Sequence, residues 1–311
     1  MRLTRWDVMK RITVRGESLA LRRLTGDDLA AVNRLFQTSE YTTRRFGGDE
    51  LPHLLATQPA FGVFTIPPGP LGWVTGGTLR ACLLLSSVVP PSAWIGGYGV
   101  TWSASTQATE LFNALLAEVE AAALASGATV LYHSGNDGNG DWLRPMLEAR
   151  GFGQVAALRS YDKSDVAIPS WGNQAVVVRP FTERDLPGVL EVERNAFAPM
   201  WHYDADGFRE VQRTYPYFVV AEDTDGIVGY QFNAMDHGLG YLVRIAVHPR
   251  AAGRHIGTRL MAEAVQYFSG KRALRILLNT EDDNYRARRL YEWFGFYLVP
   301  PAGFALGKRL G

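Results

Sequence analysis

Two parts of this chain follow the same sequence plan, and this repeat limits the possible folds more than any other feature. Three short matches occur in the same order in both halves: L-R-R-L-T-G-D-D-L (21–29) with V-R-P-F-T-E-R-D-L (178–186), L-L-A-E (115–118) with L-M-A-E (260–263), and M-L-E-A-R-G-F (146–152) with L-Y-E-W-F-G-F (290–296). A period of about 150 residues is too long for a solenoid repeat. The matches therefore predict two domains of one fold; the alternative is that short helix starts resemble one another.

A segment rich in Pro, Gly, Ser and Asn separates the two copies. It runs K-S-D-V-A-I-P-S-W-G-N-Q from Lys163 to Gln174. The predicted domains are residues 1–165 and 175–311, in line with a length of 311 residues and about 150 residues per domain. The predicted fold class is α/β (α+β), with two tandem domains. Each domain is expected to be a mixed, mostly antiparallel sheet flanked by helices.

The composition excludes several classes of partner and site. A formal net charge of +1 gives the chain no overall electrostatic attraction to nucleic acid or to a membrane surface. Cys82 is the only cysteine, so neither an intrachain disulfide nor a thiolate-based metal site can form. No apolar run reaches the length of about 18 residues that a membrane-spanning helix needs. We therefore expect a cytoplasmic protein with no metal, no nucleic-acid partner and no membrane partner; its oligomeric state is left open.

A predicted strand, a glycine loop and a predicted helix follow one another in the second copy. The strand is the apolar run Leu242–Val247, and the loop that follows contains Gly253 and Gly257. A strand that turns through glycines into a helix start leaves free backbone N–H groups directed at one point, which attracts phosphate. Basic side chains strengthen this attraction. Four of them lie in the loop and the first helical turn: Arg250, Arg254, His255 and Arg259.

Two motifs of the second copy resemble the GNAT superfamily of acyl-CoA-dependent N-acyltransferases. The family loop pattern V-x-P-x-x-[R/Q]-G-x-G-x-G/A is matched at Val247, Pro249, Gly253 and Gly257. The second pattern, N-x-x-A-x-x-L-Y-x-x-x-G-F, is matched in full at Asn284, Ala287, Leu290, Tyr291, Gly295 and Phe296. The resemblance covers residues 178–298. The two-domain plan is similar to the tandem, mycothiol-synthase-like arrangement within that superfamily.

The resemblance implies where acetyl-CoA binds as a co-substrate. The amides from Gly253 to Thr258 hold its pyrophosphate. The strand before the loop pairs with the pantetheine amides, provided that the next strand (274–279) splays away. The implied cofactor-binding residues are Ile245, Ala246, Val247, Gly253, Arg254, His255, Ile256, Gly257, Thr258, Asn284 and Ala287. For Asn284, capping the helix is an equally good explanation and does not exclude a contact with the cofactor.

The resemblance also implies that Tyr291 is the general acid, which protonates or hydrogen-bonds the departing thiolate. It lies seven residues after Asn284, two turns along the same helix face. A thiol has a pKa of about 8.5 and a phenol one of about 10, so this transfer needs no extreme tuning. A tyrosine outside such a motif would instead be expected to pack a helix on a sheet.

The loop departs from the family pattern at two positions. Ala252 replaces the usual Arg or Gln, and His255 replaces the middle glycine. A side chain at position 255 is expected only if that residue has a negative φ. Its imidazole would then crowd the phosphate or donate a hydrogen bond to it.

The general base and the acceptor pocket are not identified by the sequence. Glu193, Asp236 and His237 are candidate bases, although a solvated helix acid and two turn residues explain them as well. The aromatic segment Trp201, His202 and Tyr203 lines the acceptor pocket or packs its own loop.

The first copy is predicted to be degenerate. Its counterpart of the phosphate loop, V-T-W-S-A-S-T-Q-A-T-E-L (100–111), has no glycine and no basic residue, and Glu110 would repel a phosphate at the helix start. Leu147 stands where the second copy has Tyr291. The predicted function is N-acetyl transfer from acetyl-CoA to a primary amine of a small molecule or peptide N-terminus. The attack is direct, because Cys82 lies in the degenerate half. The alternative is a non-catalytic acyl-CoA-binding or protein-interaction module.

Overall fold

The computed structural model describes residues 9–67, 77–137 and 141–311. The chain packs into two compact units. The first comprises the described residues of 1–135, 140–154 and 306–311, and the second comprises those of 136–139 and 155–305. This division differs from the predicted ranges 1–165 and 175–311, because residues 155–163 belong to a strand of the second unit and the last six residues return to the first.

The first unit is an antiparallel sheet with one parallel pair. Its helices are α1 (Leu29–Thr38), α2 (Leu51–Thr57), α3 (Ala108–Ala125) and α4 (Arg144–Glu148). Its strands are β1 (Lys10–Val14), β2 (Glu17–Arg23), β3 (Thr42–Arg44), β4 (Ala60–Thr65), β5 (Leu79–Val89), β6 (Ser92–Val100) and β7 (Val130–Asn136). The strand order is β1-β2-β4-β5-β6-β7, and β3 pairs with β6 away from this path. Only β6 and β7 run parallel among the strand pairs described in this unit.

The second unit repeats this architecture. Its helices are α5 (Leu186–Ala196), α6 (Ala205–Thr214), α7 (Ile256–Gly270) and α8 (Tyr285–Trp293). Its strands are β8 (Gly153–Lys163), β9 (Val177–Pro180), β10 (Tyr217–Asp223), β11 (Gly226–Asp236), β12 (Leu239–Val247), β13 (Arg275–Glu281) and β14 (Tyr297–Arg309). The order is β14-β8-β13-β12-β11-β10-β9. The β8–β13, β12–β11, β11–β10 and β10–β9 pairs are antiparallel and β12–β13 is parallel, so the predicted mixed sheet flanked by helices is confirmed.

The matched segments 21–29 and 178–186 form the same arginine–aspartate ion pair in each unit. The Arg22 guanidinium donates two hydrogen bonds of 2.8 and 2.7 Å to the Asp28 carboxylate, and Arg179 donates two of 2.8 Å to Asp185. Each carboxylate also accepts the amide of the threonine three residues before it. In each unit the ion pair links the end of a strand to the start of the following helix, at equivalent positions. The predicted internal repeat is thereby confirmed.

Helix α7 positions the loop that carries the second copy's motif. It begins at Ile256, directly after the loop, and ends at Gly270. The face that it turns to the sheet is fully apolar at helical spacing: Ile256, Leu260, Met261, Ala264, Val265 and Phe268 are all buried. Each large side chain of this kind contributes about 1.5–3 kcal/mol through burial, so the helix start is held on a rigid support. None of the helices in the described residues is both long and apolar enough to cross a bilayer.

Candidate functional site

Strands β12 and β13 are paired only at their beginnings. Leu239–Tyr241 pairs in parallel with Arg275–Leu277, and the described pairing between the two strands ends there. The rest of β13 remains attached to β8 through Glu281 on its other edge. Beyond Tyr241 the segment Leu242–Val247 therefore has one backbone edge that β13 does not use, as the family resemblance implies.

A β-bulge explains why the strands part at this point. On β11, the neighbours Phe232 and Asn233 pair with Arg244 and Leu242, so Val243 is an extra residue on β12. A bulge bends its strand and increases the local twist. Since Val243 lies two residues after the last pair with β13, the bend turns the remainder of β12 away from β13.

The hydrogen bond at the end of β12 shows to which side each residue of this strand directs its backbone N–H and C=O groups. The amide of His248 donates to the carbonyl of Val228 on β11 at 2.9 Å. Successive residues of a strand direct their N–H and C=O groups to opposite sides. Ala246 therefore directs its backbone groups at β11, while Ile245 and Val247 direct theirs into the gap. Of the three predicted strand residues, only Ile245 and Val247 offer backbone hydrogen bonds there.

The loop after β12 leads into the start of helix α7. A short turn, Pro249–Ala251, is followed by Gly253 in the left-handed region (φ 79°). Helix α7 then begins at Ile256. The amides of Ile256, Gly257 and Thr258 are the first three of this helix and have no acceptor within it. They form the positive end of the helix dipole, which suits an anionic ligand.

The expectation that His255 has a negative φ is wrong. Its φ is 57° and its ψ is 25°, in the left-handed region. Histidine enters this region more readily than most residues with a side chain. The conformation is held from both sides, because the His255 carbonyl accepts the amides of Asn173 at 3.2 Å and Arg259 at 3.1 Å. The imidazole itself is exposed to solvent.

The three arginines of the loop region are bonded to other protein groups. Arg254 donates to Asp223 at 2.7 Å, and Arg259 contacts Gln174 at 2.7 Å and Glu263 at 2.8 Å. Arg250 donates to two backbone carbonyls at the β10–β11 turn. The predicted cluster of basic side chains thus braces the loop through bonds to other protein groups.

Tyr291 lies on α8 with its ring enclosed by aromatic neighbours. The residue is 5% exposed, and its ring centroid lies 5.9 Å from that of Tyr161 and 6.2 Å from that of Phe296. Burial raises the pKa of Tyr291 well above the usual value for a phenol. The hydroxyl consequently stays protonated across the neutral range. Complete transfer of its proton to a thiolate is therefore less favourable than donation of a hydrogen bond.

Asn284 caps helix α8. Its side-chain oxygen accepts the amide of Ala287 at 3.2 Å. This contact satisfies one of the unpaired N–H groups at the helix start. The cap fixes the start of the helix that carries Tyr291.

Of the candidate bases, Glu193 is fully buried. Its carboxylate accepts hydrogen bonds from Arg244 and from the amide of Tyr203, both at 2.7 Å, and from the Tyr230 hydroxyl. The interpretation of Glu193 as a solvated helix acid is wrong: the carboxylate is the centre of a buried network. The other two candidates, Asp236 and His237, lie at the β11–β12 turn with largely exposed side chains that contact each other.

The aromatic segment after α5 spans the gap between β12 and β13. The backbone carbonyl of Trp201 accepts a hydrogen bond from Arg244 of β12 at 2.7 Å. Its indole N–H donates to Glu281, the last residue of β13, also at 2.7 Å. His202 is tied to its own loop through the Phe197 carbonyl at 3.0 Å. Sequence reasoning missed Arg244 and Glu281, because neither belongs to a motif and only the fold brings them to the same tryptophan.

The first unit has the same parting of strands, but a further strand fills it. Ser92–Trp94 of β6 pairs in parallel with Val130–Tyr132 of β7, and a shift in the β5–β6 register leaves Gly96 as the extra residue. Beyond this bulge, Gly97–Gly99 pairs antiparallel with β3. The backbone edge that is open in the second unit is therefore occupied by Thr42–Arg44 in the first.

Comparison with known proteins identifies a matching family within the second unit and two relatives of the chain. A family model described as the Acetyltransferase (GNAT) family matches residues 186–296. An uncharacterized N-acetyltransferase of Methanocaldococcus jannaschii is 33% identical over 123 residues, which are 39% of this chain and 78% of that protein. A mycothiol acetyltransferase of Kineococcus radiotolerans is 31% identical over 146 residues, which are 43% of this chain and 46% of that protein.

Comparison of folds extends the similarity to both units. A tandem GNAT protein from the clavulanic acid biosynthesis pathway superposes with a TM-score of 0.64 at 16% sequence identity. The match covers 94% of this chain and 99% of that one. At this sequence identity the similarity concerns the fold alone. The two proteins share the two-unit architecture over nearly the whole of this chain.

Proposed function

The chain belongs to the GNAT acetyltransferase family, and on that premise we propose a reaction for its second unit. It transfers an acetyl group from acetyl-CoA to a primary amine of a small molecule or a peptide N-terminus. The observation that carries this proposal is the continuity of two features. The open backbone edge at Ile245 and Val247 leads directly to the amides of Ile256, Gly257 and Thr258.

Acetyl-CoA fits the groups that these elements offer. Its pantetheine arm has amides that match the backbone groups of Ile245 and Val247, as an added strand would. Its pyrophosphate suits the start of α7. The packing of the protein itself does not require glycine at position 257, because an added Cβ would make only ordinary van der Waals contacts, 3.5 Å from Leu290 and 3.8 Å from Val247. Gly253, Arg254 and His255 shape the approach to this point.

In the proposed reaction the amine attacks the thioester carbonyl directly. The new C–N bond forms, the C–S bond breaks, and the Tyr291 hydroxyl donates a hydrogen bond to the departing sulfur. The raised pKa of Tyr291 supports a donor role rather than full proton transfer. An acyl-enzyme on cysteine is disfavoured, because Cys82 is fully buried in the first unit and burial raises the pKa of its thiol far above the usual value.

One of the relatives bears on the class of acceptor. The Kineococcus relative is a mycothiol acetyltransferase, which supports a small metabolite as the acceptor here. The proposal therefore places a small amine first and a peptide N-terminus second. The first unit is proposed to bind no acetyl-CoA and to catalyse no acetyl transfer, since β3 occupies the edge that would receive the pantetheine arm.

The test combines binding and turnover. Calorimetry should detect acetyl-CoA binding, and release of coenzyme A should depend on an added amine. Tyr291→Phe should slow turnover with nearly unchanged acetyl-CoA affinity, whereas Tyr285→Phe, an exposed position on the same helix, should behave like the parent. Equal rates for Tyr291→Phe and the parent would remove Tyr291 from this role. Binding without turnover over a broad amine panel would favour the non-catalytic acyl-CoA-binding module.

A further inference from the structure

The carboxylate of Glu281 stands across the gap from the open edge of β12. It lies at the end of β13, beyond the point where the two strands part. The Trp201 indole N–H holds one of its oxygens at 2.7 Å. The carbonyl of the same tryptophan is anchored by Arg244 of β12. Trp201 therefore fixes Glu281 relative to the strand that is proposed to carry the thioester arm.

Within the described part of the chain, the charge of Glu281 is not matched by a cationic side chain. Among the described residues, no Lys, Arg or His side chain forms an ion pair with it. The nearby Arg244 is already matched by Glu193, and Arg159 and Arg288 are both engaged by Asp282. A half-buried carboxylate with a neutral hydrogen-bond donor and no cation of its own is suited to bind a cation from outside.

We propose that Glu281 binds the protonated amine of the acceptor and removes its proton before attack. This inference rests on the proposed function and narrows the acceptor to alkylammonium cations. The ammonium group donates a hydrogen bond to the Glu281 oxygen that Trp201 leaves open. One proton then passes to the carboxylate, directly or through a water molecule. The neutral amine attacks the thioester carbonyl and the C–S bond breaks. The second proton of the attacking nitrogen passes to the departing sulfur, so that the amide and the free thiol of coenzyme A are formed.

In this scheme Trp201 is a positioning residue. Its indole fixes which carboxylate oxygen faces the acceptor. Trp201→Phe keeps an aromatic ring and loses the N–H donor, so it should weaken alkylamine turnover less than the loss of the carboxylate does. Glu281→Asp retains the charge and should restore part of the activity that Glu281→Gln loses.

The experiment compares charged and uncharged acceptors. Spermidine, tyramine and alaninamide present alkylammonium groups, whereas aniline is uncharged at neutral pH. Glu281→Gln should lower kcat/KM for the alkylamines about ten- to hundredfold, the value expected for one charged hydrogen bond. Its effect on aniline and on the Kd of acetyl-CoA should be small. Glu210→Gln, which removes a carboxylate paired with Arg213 on the surface of α6, is the matched control.

The possible outcomes separate this inference from the proposed function. Undiminished alkylamine turnover by Glu281→Gln would overturn the role of Glu281 and leave the acetyl-transfer proposal intact. An equal loss for aniline and the alkylamines, or a parallel loss of acetyl-CoA affinity, would mean that Glu281 only holds the gap in shape and would also overturn it. A parent protein that acetylates neither these four amines nor any member of a broad amine panel would remove both proposals.

Discussion

The carboxylate of Glu193 and the guanidinium of Arg244 form an ion pair inside the second unit, with 2.7 Å between nitrogen and oxygen. Glu193 has no exposed surface, and the Tyr230 hydroxyl also donates to its carboxylate. The guanidinium lies over the rings of Phe197 and Tyr203, at 3.7 and 4.9 Å from their centroids. This network joins α5 to the bulged part of β12, so it holds both the open edge and the Trp201 loop.

Removing one partner of this pair should be costly. Arg244→Met leaves the Glu193 carboxylate buried without its cation, and we expect the free energy of unfolding to fall by about 3–5 kcal/mol. Arg209→Met removes an exposed arginine that pairs with Glu183 and Asp206, and it should cost less than about 1 kcal/mol. Urea denaturation of both variants measures the difference. Equal midpoints would mean that the buried pair contributes no more than a surface pair.

Acid should weaken the second unit through Asp185. Hydrogen bonds from Arg179 lower the pKa of Asp185 to about 2, below its usual value of 3.8. Because the folded pKa is the lower one, the unfolded state binds the proton first as the pH falls. The contribution of about 2 kcal/mol is complete above the unfolded pKa and is lost between about pH 4 and pH 2.

The corresponding measurement is the free energy of unfolding as a function of pH. Asp185→Asn should be less stable than the parent at pH 7 and should show a shallower decline below pH 4. Asp206→Asn, at a largely exposed carboxylate, should follow the parent curve. Parallel curves for the parent and Asp185→Asn would contradict the assigned pKa.

Local patterns in the sequence determine several elements of the second unit. The threonine and aspartate before α5, the glycine turn between β10 and β11, and the apolar face of α7 each depend on nearby residues. Helix α6 was not predicted, since only Phe208 and Val211 are buried on its otherwise polar surface. Asp204 caps this helix, but a lone cap signal is weak without an apolar stripe.

The site was predictable from the sequence only where its residues are close together along the chain. The amides at the start of α7 and the cap at Asn284 belong to continuous motifs. Glu281 and Trp201 meet because β12 and β13 part, and the bulge at Val243 that separates them has no sequence pattern of its own. The left-handed conformation of His255 was missed for a similar reason: contacts of its carbonyl with Asn173 and Arg259 stabilise a backbone angle that local preference disfavours.

A single acetyl-CoA should bind per chain. In the first unit, β3 already pairs with Gly97–Gly99, and the amide of Arg45 donates to the Gly96 carbonyl at 2.7 Å. The helix start there carries Glu110, which is paired with Arg15 at 2.9 Å and places a negative charge where phosphate would lie. Calorimetric titration of the full chain should give one equivalent. Two equivalents of similar affinity would show that the strand gap of the first unit opens to ligand.

The start of α7 can be tested without disturbing the fold. Alanine at position 257 meets only ordinary van der Waals contacts, 3.5 Å to Leu290 and 3.8 Å to Val247, and it favours the helix by up to about 1 kcal/mol over glycine. Its methyl group nevertheless fills space beside the amides that are proposed to hold pyrophosphate. We expect Gly257→Ala to keep or raise the Tm and to weaken acetyl-CoA binding about tenfold, which is a loss of about 1.4 kcal/mol.

Gly270→Ala supplies the matched control, because it makes the same change at the far end of the same helix, where a Cβ would contact nothing within 4 Å. Its Tm should also be kept, and its acetyl-CoA affinity should equal that of the parent. If Gly257→Ala binds acetyl-CoA as tightly as Gly270→Ala does, the phosphate does not approach the first turn of α7. The pantetheine arm would then have to be held by the open edge of β12 alone, and a ligand anchored only there would show no preference for acetyl-CoA over a shorter acetyl thioester lacking the diphosphate.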